Sequence, residues 1–167
     1  MSCCRASPSR ARSGTTWTYN QGVIIGGLTA LHDITGDGAY LGQAEAIAVA
    51  ALRDLTMPPG ILADPGERPG KPGRSVWAGW SGKQSDQPQF KGIFIRNLYE
   101  LYRHSPRAEY RDFILANATS LWRNARNRRD QVGLAWTGPF DRADAARQGS
   151  ALDALNAAVG VTGIATR

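Results

Sequence analysis

Side chains suited to binding a polar ligand stand where helices are predicted to begin. Asn20 and Gln21 lie at the start of one predicted helix, and Phe90 and Lys91 lie at the start of another. Amide and ammonium groups hydrogen-bond hydroxyls and carboxylates, and aromatic rings pack on the apolar faces of a ligand. Helix starts that share one rim with long loops are the expected layout of a binding site.

Each of these residues also has a purely structural interpretation. Asn20 is a suitable N-cap for the helix it begins, Asp86 suits an exposed loop, and Lys91 suits a solvated surface. A lysine is unfavourable at a helix start, however, because the positive end of the helix dipole lies there. This favours a specific contact for Lys91, such as a sugar or a carboxylate.

Four of the five tryptophans lie in or beside predicted loops on the same rim. They are Trp17, Trp77, Trp80 and Trp136. Packing within the loop is the simpler interpretation for any one of them, but at least one is expected to line the cleft. Trp122 falls inside a predicted helix and is expected in the core.

Apolar residues recur at helical spacing in five segments, so an all-α fold is predicted. The segments are 20–34, 39–56, 90–103, 108–126 and 143–159. Short turns at 35–38 and 104–106 join the first four into two hairpins. A longer loop follows each hairpin, at 57–89 after the first and at 127–142 after the second. The first is rich in glycine and proline and has no periodicity.

The hairpins repeat with an offset of 70 residues. Gly22 falls on Gly92 and Leu28 on Leu98, and the last helix joins weakly at an offset of 57, with Gly149 on Gly92. Repeated helical hairpins imply a solenoid or a toroid. The long loops between hairpins favour a toroid with the first, third and fifth helices inside, and a solenoid or irregular bundle is the alternative.

Composition excludes several classes of function. The net charge is +6, but the basic residues are scattered, so no nucleic-acid partner is expected. No apolar run is long enough to span a membrane, and no membrane association is expected. The adjacent Cys3 and Cys4 cannot form a zinc site alone, and neither a metal nor a cofactor is expected.

Residues 1–16 are expected to be a disordered leader outside the fold. They are rich in serine, arginine and small residues, and they contain no apolar run of signal-peptide length. The subcellular location is not determined by the sequence.

Three segments carry a family resemblance: WTYNQGVIIGGL (17–28), TGDGAYLGQAEAIA (35–48) and QFKGIFIRNLYELY (89–102). Together with AWTGPF (135–140) and QGSALDALNAA (148–158), they resemble glycoside hydrolase family 76. The resemblance implies that residues 17–167 are the C-terminal part of an (α/α)6 toroid, with about five of its twelve helices. It also implies descent from retaining endo-α-1,6-mannanases and an α-mannan-type polysaccharide or oligosaccharide as partner.

The resemblance also bears on the reaction. It implies an adjacent Asp-Asp pair upstream of TYNQG, where one carboxylate is the nucleophile and the other the acid and base. This sequence has no Asp-Asp, so no catalytic residue is expected in this chain. The expected substrate-binding residues are Tyr19, Asn20, Gln21, Asp86, Phe90, Lys91 and Trp136.

Two other functions remain open at this point. The chain would be either a non-catalytic carbohydrate-binding half-toroid or a structural helical scaffold without a sugar ligand. In each case a ring with half its helices exposes apolar helix sides, which predicts possible self-association through the open edge.

Overall fold

Five α-helices account for most of the residues that the computed structural model describes, which are 15–67 and 86–163. They are α1 (Thr18–Thr35), α2 (Gly38–Asp54), α3 (Phe90–His104), α4 (Ala108–Asn124) and α5 (Ala145–Val161). Every end lies within two residues of its predicted position. The all-α fold predicted from the periodicity is therefore confirmed.

The loop after α2 contains more structure than the sequence predicts. Residues Thr56–Met57 (β1) and Ile61–Leu62 (β2) form a small antiparallel hairpin, and Pro65–Glu67 and Gln87–Gln89 form single 3₁₀ turns. Two-residue strands are too short to show an alternating pattern, so the prediction of an irregular loop is wrong here. Residues 68–85, which include Trp77 and Trp80, lie outside the described residues, and so do 1–14 of the predicted leader.

The turn between α1 and α2 follows from its sequence. Gly36 ends α1 with a φ of 71°, in the left-handed region that favours glycine. Asp37 then caps α2, because its carboxylate accepts a hydrogen bond of 2.8 Å from the backbone N–H of Ala39. The predicted turn at 35–38 is confirmed.

Helices α1, α3 and α5 lie side by side in one row, with α3 in the middle. Helix α2 packs mainly on α1, while α4 packs on α3 and α5. Helices α1 and α3 are parallel, because Gly22 and Phe94 meet near their starts while His32 and His104 meet near their ends. Helix α5 is parallel to α3, because Gly92 meets Ser150 near their starts and Tyr99 meets Gly160 further along both helices. This is the arrangement of inner and outer helices in a partial α/α toroid.

Two glycines related by the 70-residue offset let the inner helices approach closely. A Cβ on Gly22 would lie 2.6 Å from the Cα of Phe94, and a Cβ on Gly92 would lie 2.6 Å from the Cα of Ser150. The backbone N–H of Gly92 also donates a 2.9 Å hydrogen bond to the Ser150 hydroxyl. Only glycine has room at these crossings.

The core lies between the row and the helices packed on it. Its fully buried large apolar side chains include Ile25, Phe94, Ile95, Leu98, Leu101, Ile114 and Leu121. Trp122, expected in the core, is instead 41% exposed, and the Arg126 guanidinium lies 4.0 Å above its ring. Neighbouring helical residues point about 100° apart, and Leu121 takes the inward position.

Candidate functional site

Three aromatic side chains meet where α1 and α3 begin. The ring centroid of Phe90 lies 4.2 Å from that of Tyr19 and 5.5 Å from that of Trp17, the latter in an edge-to-face arrangement. All three residues are half-buried, so the group packs together and still presents surface to a ligand. We call Trp17, Tyr19 and Phe90 the aromatic cluster.

Asn20 and Gln21 lie beside this cluster in the first turn of α1. Both are half-buried, and within residues 15–67 and 86–163 their side chains form no hydrogen bond. The interpretation of Asn20 as an N-cap is wrong, because α1 begins at Thr18 and Trp17 is the capping residue. The two amides therefore remain available to a ligand.

A carboxylate from a distant loop completes the start of α1. The Thr18 backbone N–H donates to Asp64 Oδ1 at 2.9 Å, and the Thr18 hydroxyl donates to Asp64 Oδ2 at 3.0 Å. Both residues are fully buried. Asp64 therefore performs the capping role that the Trp17 side chain does not, and its negative charge is favourable at the positive end of the helix dipole.

Lys91 is buried beneath the start of α3. Its ammonium donates to the Glu67 carboxylate and, at 2.7 Å, to the carbonyl of Leu134, and it lies 5.0 Å from the Trp136 ring centroid. The Lys91 and Glu67 side chains are 1% and 3% exposed. The solvated-lysine interpretation is wrong, and Glu67 supplies the negative charge that a lysine at a helix start requires.

Burial raises the pKa of Glu67 above its ordinary value, and the nearby ammonium of Lys91 and its hydrogen bond offset only part of that effect. Since the folded pKa is the higher one, ionisation of Glu67 costs stability as the pH rises from the acid range. Lys91 limits this cost. Each of the two buried charges is therefore stabilised by the other.

The loop after α4 is fixed to the start of α5. The Gln148 amide pairs with both backbone groups of Val132, accepting at 3.1 Å and donating at 2.8 Å. Asp141 bonds the buried Arg147 guanidinium and accepts from the Leu134 N–H at 2.8 Å. These contacts hold in place the Leu134 carbonyl that Lys91 uses.

The pKa of Asp141 reflects the same contacts. Partial burial pushes it upward, but hydrogen bonds from Arg147 and from the backbone N–H of Leu134 outweigh that effect and hold it below its usual value. Asp141 is therefore a charged acceptor for the loop.

The last two predicted site residues have different surroundings. Trp136 is 2% exposed and contacts Lys91, so its ring supports the rim from below. Asp86 is exposed, and its carbonyl accepts a 2.9 Å hydrogen bond from the Gln89 N–H just before α3. Tyr19 and Phe90 thus come together, while Lys91 and Trp136 meet behind them.

Two further observations concern other kinds of site. Within the described ranges, His, Cys, Asp and Glu side chains do not gather in threes in a way that would hold a metal ion. In the same part of the chain, the helices lack the combination of length and apolar character needed to cross a bilayer.

Comparison with known proteins decides the family. The family model described as Glycosyl hydrolase family 76 matches residues 8–163. The chain belongs to glycosyl hydrolase family 76. A comparison with curated proteins gave no match.

Solved structures share the fold. The Lin0763 protein of Listeria innocua is 28% identical with a TM-score of 0.73, over 95% of this chain and 42% of its own length. The α-1,6-mannanase of Salegentibacter sp. HEL1_6 is 29% identical with a TM-score of 0.70, over 87% of this chain and 40% of its own. This family 76 chain thus spans about two fifths of the length of these proteins.

The Salegentibacter enzyme is also solved with a ligand. A variant with two adjacent aspartates changed to alanine is described as inactive, and it is in complex with α-1,6-mannotetraose. It is 29% identical to this family 76 chain, with a TM-score of 0.70 over 87% of this chain and 40% of its own.

Proposed function

We propose that this chain is the sugar-binding part of a family 76 α-1,6-mannanase domain. The binding surface is the rim where α1 and α3 begin. The observation that carries the proposal is the half-buried aromatic cluster of Trp17, Tyr19 and Phe90 at that rim. Its support from relatives is that the Salegentibacter mannanase, with the same fold, binds α-1,6-linked mannose.

The chemistry of the rim suits a neutral oligosaccharide. Aromatic faces pack on the C–H surfaces of sugars, and the Asn20 and Gln21 amides each offer donors and an acceptor to hydroxyl groups. The buried ion pair of Lys91 and Glu67 lies behind Phe90. Because Lys91 is anchored, the neighbouring Phe90 is held in position.

Hydrolysis requires further residues. Retaining cleavage needs two carboxyl groups about 5 Å apart across the scissile bond. We place them in a part of the domain outside this sequence, which contains no Asp-Asp. The inactive double variant of the Salegentibacter enzyme supports an adjacent aspartate pair in that role.

The proposal is tested by calorimetric titration of the chain with α-1,6-mannotetraose. Replacing Phe90 with alanine is expected to weaken binding by about 2- to 10-fold, since one aromatic contact contributes about 0.5–1.5 kcal/mol. Tyr19→Phe keeps the aromatic ring, so it should weaken binding less than Phe90→Ala does.

The matched control is Trp122→Ala, which removes an exposed aromatic from the outer helix α4 and leaves the aromatic cluster intact. It should bind like the unchanged chain. The proposed site would be contradicted if Phe90→Ala and Trp122→Ala lost the same affinity for α-1,6-mannotetraose. It would also be contradicted if the chain bound a β-linked glucan such as cellotetraose equally well.

A second prediction concerns catalysis by the chain alone. Incubated with α-1,6-mannan, it should release no reducing sugar above the background of a heat-denatured sample, and Asp86→Asn should change nothing. Turnover that disappears in Asp86→Asn would contradict this and would make the exposed Asp86 catalytic.

A further inference from the structure

One short turn contacts the starts of both helices that carry the aromatic cluster. We call residues 64–67, with the sequence DPGE, the acidic turn. Asp64 accepts two hydrogen bonds, of 2.9 and 3.0 Å, from Thr18 at the start of α1. Glu67 accepts a hydrogen bond from the ammonium of Lys91 at the start of α3. Two carboxylates three residues apart therefore hold one helix start each.

The acidic turn has little freedom to change its shape. The Glu67 N–H donates to the Asp64 carbonyl at 2.9 Å, and the Asp64 N–H donates to the Glu67 carboxylate at 3.4 Å. Pro65 lies between them, and its ring fixes its own φ. The separation of the two carboxylates is therefore set by the turn itself.

The segment before the turn is anchored in the core. Ile61, Leu62 and Ala63 are at most 3% exposed. The Leu62 N–H donates at 2.8 Å to the side chain of Asn117, a fully buried residue of α4. The acidic turn is thus attached to an outer helix, and from there it holds the starts of two inner helices.

Burial keeps both carboxylates on their partners. Asp64 is fully buried, and the Glu67 side chain is 3% exposed. Water cannot replace a lost donor at such a site, and a buried carboxylate without its donors is costly. The same burial prevents both side chains from contacting a ligand at the rim.

The aromatic cluster adjoins the two points that the acidic turn holds. Trp17 and Tyr19 flank Thr18 in the sequence, and Phe90 directly precedes Lys91. The ring centroids of Tyr19 and Phe90 lie 4.2 Å apart across the two helices. A shift of either helix start relative to the other would change this distance.

We propose that Asp64 and Glu67 are positioning residues of the sugar-binding rim, because the acidic turn sets the spacing between the aromatic rings on α1 and the ring of Phe90. The inference rests on the function proposed for this rim. It adds that two buried residues outside the contact surface determine the affinity for the sugar.

Glu67→Asp tests the proposal, because it keeps the charge and shortens the side chain by one methylene group. The calorimetric affinity for α-1,6-mannotetraose should fall about 2- to 10-fold, the range expected for loss of the Phe90 contact. Glu67→Gln keeps the length and an acceptor oxygen, so it should retain more of the affinity than Glu67→Asp does.

A double-mutant cycle with Phe90 separates positioning from a general loss of structure. In a Phe90→Ala chain, Glu67→Asp should cause no further loss of affinity, because the ring that it positions is absent. The control is Ser105→Ala, which removes a side-chain hydrogen bond to Glu45 at the opposite end of α3. It should bind the sugar like the unchanged chain.

A spectroscopic signature tests the spacing without any sugar. Trp17 meets Phe90 edge to face, with ring centroids 5.5 Å apart, so its environment depends on where Phe90 lies. In a chain labelled with 5-fluorotryptophan, the fluorine resonance of Trp17, assigned through Trp17→Phe, should shift in Glu67→Asp and stay in place in Ser105→Ala.

The outcomes separate this inference from the proposed function. A shifted Trp17 resonance together with a loss of affinity that disappears in the Phe90→Ala chain supports the inference. An unshifted resonance, or an equal loss with and without Phe90, would overturn it while leaving the sugar site in place. An unchanged chain that binds no sugar would overturn both the proposed function and the role in affinity. If circular dichroism shows that Glu67→Asp is unfolded, Thr18→Val, which removes the hydroxyl held by Asp64, takes its place in each measurement.

Discussion

Replacing Lys91 with methionine is expected to lower the free energy of unfolding by about 3–5 kcal/mol. The substitution keeps most of the side-chain volume but leaves the Glu67 carboxylate, 3% exposed, without its ammonium partner. A buried charge without a partner is costly, and the carbonyl of Leu134 also loses its donor. Urea denaturation at a fixed protein concentration measures the loss.

A double variant separates the charge from the packing. Lys91→Met together with Glu67→Leu removes both charges and should recover most of the lost stability, because apolar replacement of a buried ion pair is often neutral or stabilising. The control is Arg53→Met in the exposed pair of Arg53 and Asp54, with side chains 72% and 58% exposed, where we expect a change of about 0–1 kcal/mol. A double variant as unstable as Lys91→Met would show that the stability lost in Lys91→Met comes from altered packing and not from the unpaired charge of Glu67.

Gly22→Ala is expected to destabilise the protein by about 1–3 kcal/mol, although alanine is the better helix former. The added Cβ would lie 2.6 Å from the Cα of Phe94, and that neighbour is backbone, which cannot rotate away. Gly92→Ala should have a similar cost against Ser150. Both changes force apart the inner helices that carry the rim.

Gly42→Ala provides the matched control for these variants. Gly42 lies in α2, and a Cβ there would meet nothing within 4 Å, so the variant should gain about 0.5–1 kcal/mol. Thermal denaturation of the three variants under one set of conditions tests the difference. If Gly22→Ala proved as stable as Gly42→Ala, the close crossing of α1 and α3 would not be a determinant of stability.

The helices could be predicted because their apolar residues repeat at helical spacing, a signal within one segment. The Asp64 cap and the Glu67 partner of Lys91 could not. Asp64 lies 46 residues from Thr18, and Glu67 lies 24 residues from Lys91. Both are in a loop without periodicity, and only the folded chain brings them to the helix starts.

Part of the candidate site could also be predicted, because the sequence repeat relates the starts of two helices. The 70-residue offset places the start of α1 on the start of α3, which predicts that Asn20 and Phe90 share one rim. The contact between the rings of Phe90 and Tyr19 depends on the distance between the helices, which the close approach at Gly22 sets. The burial of Trp136 depends on Lys91 and a loop fixed by Gln148, and neither contact has a local sequence signal.

The capping of α1 by Asp64 has a consequence for the order of events during synthesis. The ribosome adds Asp64 46 residues after Thr18, so all of α1 has been synthesised before its cap has been made. Domains generally fold as units during translation, and the start of α1 cannot be completed until the hairpin of β1 and β2 has followed it. The nascent chain therefore gains its rim late, when the polypeptide has grown past the first helical hairpin.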